Sequence, residues 1–334
     1  MRNLCVSYSK KCLPFLYIIM SFMWLAGCSN ETESLTATSP VQQPEQKVEQ
    51  VYNIALVMKT LTNPFFIEME KGARLAEKEL GVSLLVKTAA QETSIQQQIG
   101  IVEELIRKKV DAIVIAPGDS VELIPILKQA QDAGIIVINI DNRLDPAYSK
   151  VIGLLGVPFI SVDNELAAYF VTQTLTSRMT APTSVAILEG IIGAENSRHR
   201  KNGALRAFEN QPLANVVAIE TAHWKIDEGY ETTKKLFSQY PEIRAIFCAN
   251  DMMALGALKY LQTSGRKDVL VAGYDALEQA KEAIKAGTML ATVDQQAAEQ
   301  GYQGVLFAYR ALLGERLPSV ILIDTKVLTI ENVQ

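Results

Sequence analysis

From residue 53 onward, the apolar residues follow two alternating spacings. Short and nearly continuous apolar runs, such as 54–58 and 135–140, are typical of strands buried on both faces of a parallel sheet. Between these runs, apolar residues recur three and four positions apart, which places them on one face of an α-helix. The first such set is Phe66, Met69, Ala73, Ala76 and Leu80. This alternation predicts an α/β fold built from doubly wound parallel sheets.

The predicted elements form two series of similar size. The first has strands near 53–58, 82–87, 111–116 and 135–140, with helices near 64–80, 94–109 and 120–133. The segment 145–162 breaks the alternation with two prolines and two glycines, and residues 150–160 resemble an insertion. The second series has helices near 164–179, 197–210, 227–239, 251–263 and 276–286, and strands near 184–189, 215–220, 244–249, 268–273 and 289–293. A long helix near 296–313 and two short strands follow, so we expect two lobes with a cleft between them.

The N-terminal segment has the pattern of a secretion signal. A basic region containing Arg2, Lys10 and Lys11 precedes an apolar stretch from Leu13 to Ala26, which is short for a membrane-spanning helix. The stretch ends in Leu-Ala-Gly-Cys28, which resembles a bacterial lipobox. We therefore predict a lipoprotein signal peptide over 1–27; the alternative is an ordinary N-terminal anchor with an incidental cysteine.

In the lipoprotein interpretation, Cys28 carries the lipid, including palmitate, and anchors the protein to a bacterial membrane. Residues 28–50 are rich in Ser, Thr, Pro, Gln and Glu and lack periodicity, which predicts a flexible tether. The predicted location is the periplasm or the cell surface. Cleavage removes Cys5 and Cys12 and leaves Cys28 and Cys248, which cannot form a disulfide framework.

Composition and motifs exclude several classes of function. The net charge of −5 gives no electrostatic reason to expect nucleic acid as a partner. The nucleophile-elbow, phosphate-loop, dinucleotide-loop and zinc-protease motifs are absent, and the chain has only two histidines. Paired carboxylates such as Asp141 and Asp275 leave a glycosidase as the main enzymatic alternative. We predict a protein that is not an enzyme and that needs no cofactor and no metal ion.

The candidate binding residues lie at the carboxyl ends of predicted strands. Asn63, Pro64, Phe65 and Phe66 stand at the first strand-to-helix turn, where an asparagine cap and a proline in the first helical turn are favoured. Ligands bind at this edge of open α/β sheets. Two aromatic rings beside an amide suit a molecule with apolar C–H faces and a rim of hydroxyls, such as a sugar.

Other polar or aromatic residues follow later strands: Asp141, Arg143, Arg198, Arg200, Trp224, Asn250, Asp251, Asp275 and Gln295. Each has a structural alternative. Asn250 or Asp251 could cap the helix near 252, and Asp275 could cap the next one. The arginines could form a solvated helix face, and Trp224 could belong to the core. Their shared position at the mouth of the cleft favours a binding site.

The chain resembles the ribose-binding family of periplasmic sugar-binding proteins over roughly residues 51–331. The segments that carry the resemblance are 61–66, 111–119, 139–141, 161–164, 197–200, 249–258, 272–275 and 291–295. The resemblance implies the type I periplasmic binding protein fold, two Rossmann-like lobes joined by three crossovers near 161–164, 295–296 and 324. The implied N-terminal lobe is 51–162 plus 296–323, and the implied C-terminal lobe is 163–295 plus 324–334.

The resemblance also implies a set of ligand-binding residues: Asn63, Phe65, Phe66, Asp141, Asn142, Arg200, Trp224, Asn250, Asp275 and Gln295. The aromatic side chains would contact the faces of the sugar ring, while the polar groups would bind its hydroxyls. Two positions differ from the ribose binder, which has arginine where Asn142 stands and phenylalanine where Trp224 stands. Another pentose, a hexose and a polyol therefore all remain open as ligands.

The family's mechanism implies that a bound sugar stabilises the closed form, which a membrane partner then recognises. The expected partner is an ABC transporter permease, and the alternative is a chemoreceptor or a histidine kinase. Repressors that share the fold carry an N-terminal DNA-binding motif. Here that space holds the signal segment and tether, so we expect no nucleic-acid partner. We also expect the protein to be a monomer.

Overall fold

The computed structural model describes residues 51–333. The predicted signal peptide, the lipidation site Cys28 and the tether lie outside these described residues. The first half of the described chain contains β1 (Asn53–Met58), α1 (Pro64–Leu80), β2 (Ser83–Thr88), α2 (Ile95–Lys108), β3 (Ala112–Ile115), α3 (Ile124–Asp132), β4 (Ile136–Ile140), α4 (Pro146–Ile152), β5 (Phe159–Val162), α5 (Asn164–Thr176) and β6 (Thr183–Glu189). The second half contains α6 (Glu195–Glu209), β7 (Ala214–Thr221), α7 (Ile226–Gln239), β8 (Ile243–Cys248), α8 (Asp251–Thr263), β9 (Leu270–Ala272), α9 (Glu278–Lys285), β10 (Ala291–Asp294), α10 (Ala297–Leu312), β11 (Val320–Ile323) and β12 (Lys326–Thr329).

The strands form two six-stranded sheets. The first has the order β2-β1-β3-β4-β5-β11, and its pairings are all parallel. The second has the order β7-β6-β8-β9-β10-β12, in which only β12 is antiparallel to its neighbour. In both sheets the strand order reverses beside the first strand, which opens a crevice at the carboxyl ends of the strands. The predicted pair of doubly wound α/β units is confirmed.

Helices cover both faces of the first sheet. Along β1, Ile54, Leu56 and Met58 belong to the same apolar cluster as residues of α1 and α10. The intervening Ala55 and Val57 belong to the cluster that contains residues of α2 and α3. Because side chains alternate across a strand, a strand buried on both faces has an unbroken apolar sequence. We refer to this sheet with α1–α4 and α10 as the first lobe, and to the second sheet with α5–α9 as the second lobe.

The chain passes between the two sheets three times. It leaves the first sheet after Val162 and enters α5, which packs against the second sheet. It returns after Asp294 through Gln295 and Gln296 to α10, and it crosses again between Ile323 and Lys326. These are the three crossover segments that the sequence predicts.

The segment 145–162, which interrupts the alternation in the sequence, contains regular secondary structure. It contains α4, which starts at Pro146 with Asp145 as its cap, and β5, which pairs with β4 and β11. Proline is favoured in the first turn of a helix, so Pro146 marks a helix start rather than a break. β5 was missed because it has only four residues, of which one is Ser161.

Among the helices between residues 51 and 333, none combines the length and the apolar character that a membrane span requires. In the same range, no group of three His, Cys, Asp or Glu side chains is arranged to hold a metal ion.

Candidate functional site

A cavity lined by buried residues lies between the carboxyl ends of the two sheets, with about 230 Å³ of space between atoms including its opening to solvent. The first lobe contributes Lys59, Asn63, Phe65, Phe66, Glu92 and Asp141 to its lining. The second lobe, with its crossover, contributes Asn196, Arg200, Trp224, Asn250, Asp275 and Gln295. Nine of the ten residues of the predicted ligand set therefore line one cavity that both lobes share.

The aromatic part of the lining begins at the start of α1. The side chain of Asn63 caps this helix, with Oδ1 accepting a hydrogen bond from the Phe65 N–H at 3.1 Å, and Pro64 follows in the first turn. The rings of Phe65 and Phe66 meet edge to face, with centroids 5.1 Å apart. Trp224 comes from the second lobe. The lining thus offers apolar ring surface from both lobes.

The amide of Asn63 also fixes a buried carboxylate. Its Nδ2 donates to Oε1 of Glu92 at 3.0 Å, so one asparagine joins the cap of α1 to the loop after β2. Burial raises the pKa of Glu92, while the nearby Lys59 and the hydrogen bond from Asn63 oppose the rise. Glu92 is therefore a buried carboxyl group at the wall of the cavity that keeps its proton more readily than a carboxyl group in water.

A second charged group in the first lobe is an ion pair. Lys59 directly follows β1, and its Nζ lies 2.7 Å from Oδ2 of Asp141, which follows β4. Oδ1 of Asp141 accepts a longer hydrogen bond, 3.4 Å, from Nδ2 of Asn196 in the second lobe. Asp141 therefore connects a cation of its own lobe with an amide of the other lobe.

Arg200 of α6 is the centre of the polar network in the second lobe. Its Nε donates to Asn164 Oδ1 at 2.8 Å, one terminal nitrogen donates to the Ala249 carbonyl at 3.0 Å, and the other to Gln295 Oε1 at 3.2 Å. Its guanidinium carbon lies 3.8 Å from the centroid of the Tyr274 ring. These contacts hold the guanidinium in one plane and one orientation.

Asp275 and Gln295 complete this network. Gln295 donates from Nε2 to Asp275 Oδ1 at 2.6 Å, and Arg200 lies 3.5 Å from the same oxygen. Burial raises the pKa of Asp275 well above its usual value, although the positive charge of Arg200 opposes the rise. The helix that follows begins at Glu278, so Asp275 is not its cap, and its side chain is available to the cavity.

Asn250 has both of the roles considered for it. Its Oδ1 caps α8 by accepting a hydrogen bond from the Met253 N–H at 2.9 Å, and its Nδ2 donates to the Trp224 carbonyl at 3.2 Å. The residue also lines the cavity. Asn250 therefore positions Trp224 and retains one amide hydrogen that no described residue accepts.

Three of the ligand-set residues have a backbone conformation that non-glycine residues rarely adopt. Asp141 has φ 62°, Trp224 has φ 67° and Asp275 has φ 121°. Such conformations are strained for residues with a side chain and cluster at binding and catalytic sites. The turns after these strands therefore place the three side chains at the cleft, although their backbone conformation is energetically unfavourable.

Asn142 does not line the cavity, although the ligand set includes it. Its side chain is fully buried and engaged elsewhere: Nδ2 donates to the Pro117 carbonyl at 3.1 Å, and Oδ1 accepts from the Asn196 N–H at 3.2 Å. Arg143, the next residue, lies over the ring of Phe159 and lines a different cavity. No guanidinium from the turn after β4 reaches the binding cavity.

Sequence reasoning missed three lining residues, Lys59, Glu92 and Asn196. Lys59 had a visible signal, since it is a lone lysine that ends an apolar strand and directly precedes the aromatic turn. Glu92 lies in an ordinary polar loop and Asn196 in a polar helix start, so neither pattern separates them from surface residues. Their place in the site depends on the packing of the lobes.

Comparison with known proteins agrees with this geometry. The chain matches the family described as periplasmic binding protein domain over residues 54–316. It is 38% identical to the D-ribose/D-allose-binding protein of Pseudomonas aeruginosa, over 84% of this chain and 89% of that protein. It is 33% identical to the D-allose-binding periplasmic protein of Escherichia coli, over 75% of this chain and 81% of that protein.

Solved structures give the same result. An ABC transporter periplasmic solute binding protein from Actinobacillus succinogenes with bound D-allose has a TM-score of 0.80 and 38% identity, covering 84% of this chain and 98% of that one. A solute binding protein from Bacillus halodurans with bound myo-inositol has a TM-score of 0.77 and 28% identity, covering 84% of this chain and 96% of that one.

The relatives are solute-binding proteins rather than enzymes, which confirms the prediction that the chain has no enzymatic activity. Their fold confirms the predicted type I architecture of two α/β lobes. By the extent of these matches, the chain belongs to the periplasmic binding protein family, in its ribose-binding-like group of extracytoplasmic sugar-binding proteins.

Proposed function

We propose that the protein is a lipid-anchored solute-binding protein that captures a monosaccharide or polyol between its two lobes and delivers it to an ABC permease. One observation carries the proposed capture of a sugar: one cavity is lined by aromatic rings, carboxylates, a guanidinium and amides from both lobes. A ligand that contacts both lobes stabilises the closed arrangement over the open one, which is the signal that a permease needs.

The lining favours a neutral ligand with many hydroxyls. Its two cations, Lys59 and Arg200, are paired with the carboxylates of Asp141 and Asp275, so the cavity has no excess positive charge that would select an anionic solute. The third carboxyl group, Glu92, has its pKa raised by burial, which favours its neutral form. Carboxylates accept and guanidinium groups donate, which together satisfy the hydroxyls around a sugar ring. A sugar that lacks one hydroxyl would leave a buried group without a partner and bind more weakly.

D-allose and D-ribose are the first ligands to test, because the relatives are named for them. Isothermal titration calorimetry and thermal unfolding of the protein with D-allose, D-ribose, myo-inositol and D-glucose would rank the candidates. A ligand at about 100 times its dissociation constant adds about 2.7 kcal/mol to the free energy of unfolding. Stabilisation by at least one of these four compounds that is lost in Asp275→Asn supports the proposal. If none of the four stabilises the protein, the proposal that it binds a sugar or polyol of these classes is overturned.

The remaining parts of the proposal have their own tests. The lobes we propose are 51–162 with 296–323, and 163–295 with 324–334. Labelling of bacterial cells with palmitate should mark the wild-type protein and not Cys28→Ala, which should move from the membrane fraction to the soluble one. Stimulation of ATP hydrolysis by the permease in proteoliposomes should require both the protein and its sugar.

A further inference from the structure

Helix α6 begins without a cap of its own. The residue before it, Ala194, has no side chain that accepts a hydrogen bond, whereas α1, α4, α5 and α8 have asparagine or aspartate caps that do. The first N–H groups of a helix have no acceptor within the helix, and when they are buried they need one from elsewhere. In α6 these groups belong to Glu195 and Asn196, which are both buried.

The first lobe supplies the missing acceptors. Oγ of Ser120 accepts from the Glu195 N–H at 2.9 Å, and Oδ1 of Asn142 accepts from the Asn196 N–H at 3.2 Å. The Ser120 N–H in turn donates to the Gly193 carbonyl at 3.1 Å. These three hydrogen bonds join the lobes directly, and we call Ser120, Asn142 and the first turn of α6 the latch.

The acceptors are oriented before the lobes meet. Nδ2 of Asn142 donates to the Pro117 carbonyl within the first lobe, which turns Oδ1 toward α6. The Ser120 carbonyl accepts from the Asp145 N–H at 2.7 Å, which fixes the turn that carries the serine. The latch therefore needs little rearrangement to form, and it is complete only when the lobes are in contact.

The approach of the lobes at the latch is close enough to restrict residue size. A β-carbon on Gly193 would lie 2.0 Å from Oδ2 of Asp119, whose other oxygen is held by the N–H groups of Val121 and Glu122. A glycine at this position lets the two backbones meet. Ser120, Asn142 and Gly193 are all absent from the lining of the sugar cavity.

We propose that Ser120 and Asn142, the first-lobe acceptors of the latch, set the affinity of the protein for all of its ligands by the same factor, because they stabilise the closed form from outside the cavity lining. This inference rests on the proposed capture of a sugar by closure of the lobes. The apparent affinity of a ligand scales with the population of the form that binds it. A group that acts only on closure therefore changes every dissociation constant equally and leaves discrimination between sugars unchanged.

The test compares Ser120→Ala with the wild-type protein by calorimetric titration with D-allose and D-ribose. Loss of one helix cap corresponds to about a 2- to 30-fold change in an equilibrium constant. We expect both dissociation constants to rise by the same factor within that range. The control is Thr233→Val, which removes a buried hydroxyl that bonds only to the Gly229 carbonyl within α7 and should leave both constants unchanged. A change in the ratio of the two constants, or no change in either, overturns the latch.

A second measurement separates the latch from the choice of sugar. Hydrogen exchange of single amides in ligand-free protein reports the N–H of residue 120, which donates to the Gly193 carbonyl of the other lobe; both of these backbone atoms remain in Ser120→Ala. If the latch opens as a unit, this substitution should accelerate exchange at residue 120 although it removes neither the donor nor the acceptor. Equal exchange rates in the wild type and the variant overturn the latch, even if neither sugar binds. Faster exchange in the variant together with no sugar binding supports the latch and rejects the proposed ligands.

Discussion

The ammonium group of Lys59 lies 2.7 Å from the carboxylate of Asp141, and neither side chain is more than 3% exposed. Removing one member of a buried ion pair leaves the other charge without compensation, which typically costs about 3–5 kcal/mol. We therefore expect Lys59→Met, which keeps the length of the side chain, to lower the free energy of unfolding by about that amount. Urea unfolding of the ligand-free protein measures the change.

Replacing both members separates stability from binding. The double variant Lys59→Met with Asp141→Asn removes both charges and keeps a residue that tolerates φ 62° at position 141, so we expect most of the lost stability to return. Sugar binding should not return, because both charged groups are then missing from the cavity. If the double variant is as unstable as the single one, the ion pair is not the origin of the effect.

Arg200 is expected to be irreplaceable by lysine. The ammonium group of lysine cannot reproduce the planar set of hydrogen bonds to Asn164, Ala249 and Gln295 or the contact with the Tyr274 ring. Lysine would also present fewer donors to the ligand. A hydrogen bond to a charged group contributes about 1.5–3 kcal/mol, so loss of one such bond to the sugar predicts that the affinity falls by about 10- to 150-fold. Titration calorimetry measures the change.

The same helix offers a matched control for this substitution. Arg206 also forms an ion pair, with Glu165, and lies over a tyrosine ring, that of Tyr169, but it is exposed and far from the cavity lining. Arg206→Lys should change sugar affinity by less than a factor of two. A comparable loss in both variants would show that α6 tolerates no lysine, rather than that Arg200 orients the ligand.

Trp224 should determine which sugar the cavity prefers. Its Nε1 is buried and has no acceptor among residues 51–333, so the indole N–H is available to a ligand hydroxyl. Trp224→Phe removes this donor and enlarges the cavity. We expect the ratio of the affinities for D-allose and D-ribose to change by about 10-fold, since one unpaired hydroxyl costs about 1–3 kcal/mol. An equal loss for both sugars would contradict a role in discrimination.

The stability of the protein should fall as the pH rises toward neutrality. Burial raises the pKa of Asp251 to about 7, against the opposing hydrogen bonds from Thr292 and from two backbone N–H groups. The folded state therefore holds a proton that the unfolded carboxyl has already lost above its usual pKa near 3.8. The stabilising contribution is complete below pH 3.8 and is lost progressively up to about pH 7. Burial raises the pKa of Asp275 as well, so both groups act in the same direction.

Urea unfolding between pH 4 and pH 8 tests this expectation. One proton taken up by folding changes the free energy of unfolding by about 1.4 kcal/mol per pH unit. Asp251→Asn removes that proton, so its stability should depend less steeply on pH than that of the wild type. Parallel curves for the two proteins would show that Asp251 ionises normally in the folded state.

The elements that the sequence predicts well are those with a complete local signal. Helix α1 has the predicted bounds, because an asparagine cap, a proline in the first turn and a continuous apolar face all agree. β5 had no such signal, since four residues are too few to show a period, and its place depends on pairing with β4 and with β11 from the far end of the chain.

The residues of the candidate site likewise divide into those with a local sequence signal and those without one. Strand ends and the family motifs placed nine cavity-lining residues, but they gave no indication of the direction in which a side chain points after a strained turn. Asp141 has φ 62°, and this turn directs its carboxylate into the cavity while Asn142 faces the other lobe. Lys59, Glu92 and Asn196 join the site through contacts between segments far apart in sequence, which local patterns do not record.

The three crossings of the chain also determine when the protein can fold. The first sheet lacks its edge strand β11, and one of its faces lacks α10, until the chain has passed through the whole second lobe. The second sheet lacks β12 until residue 329 has been made. Neither lobe can therefore finish folding during synthesis ahead of the other, unlike successive domains that fold as they emerge. A lobe that lacks these segments buries less apolar surface than a finished one, so it is easier to keep extended, and an extended polypeptide is what export across a membrane requires.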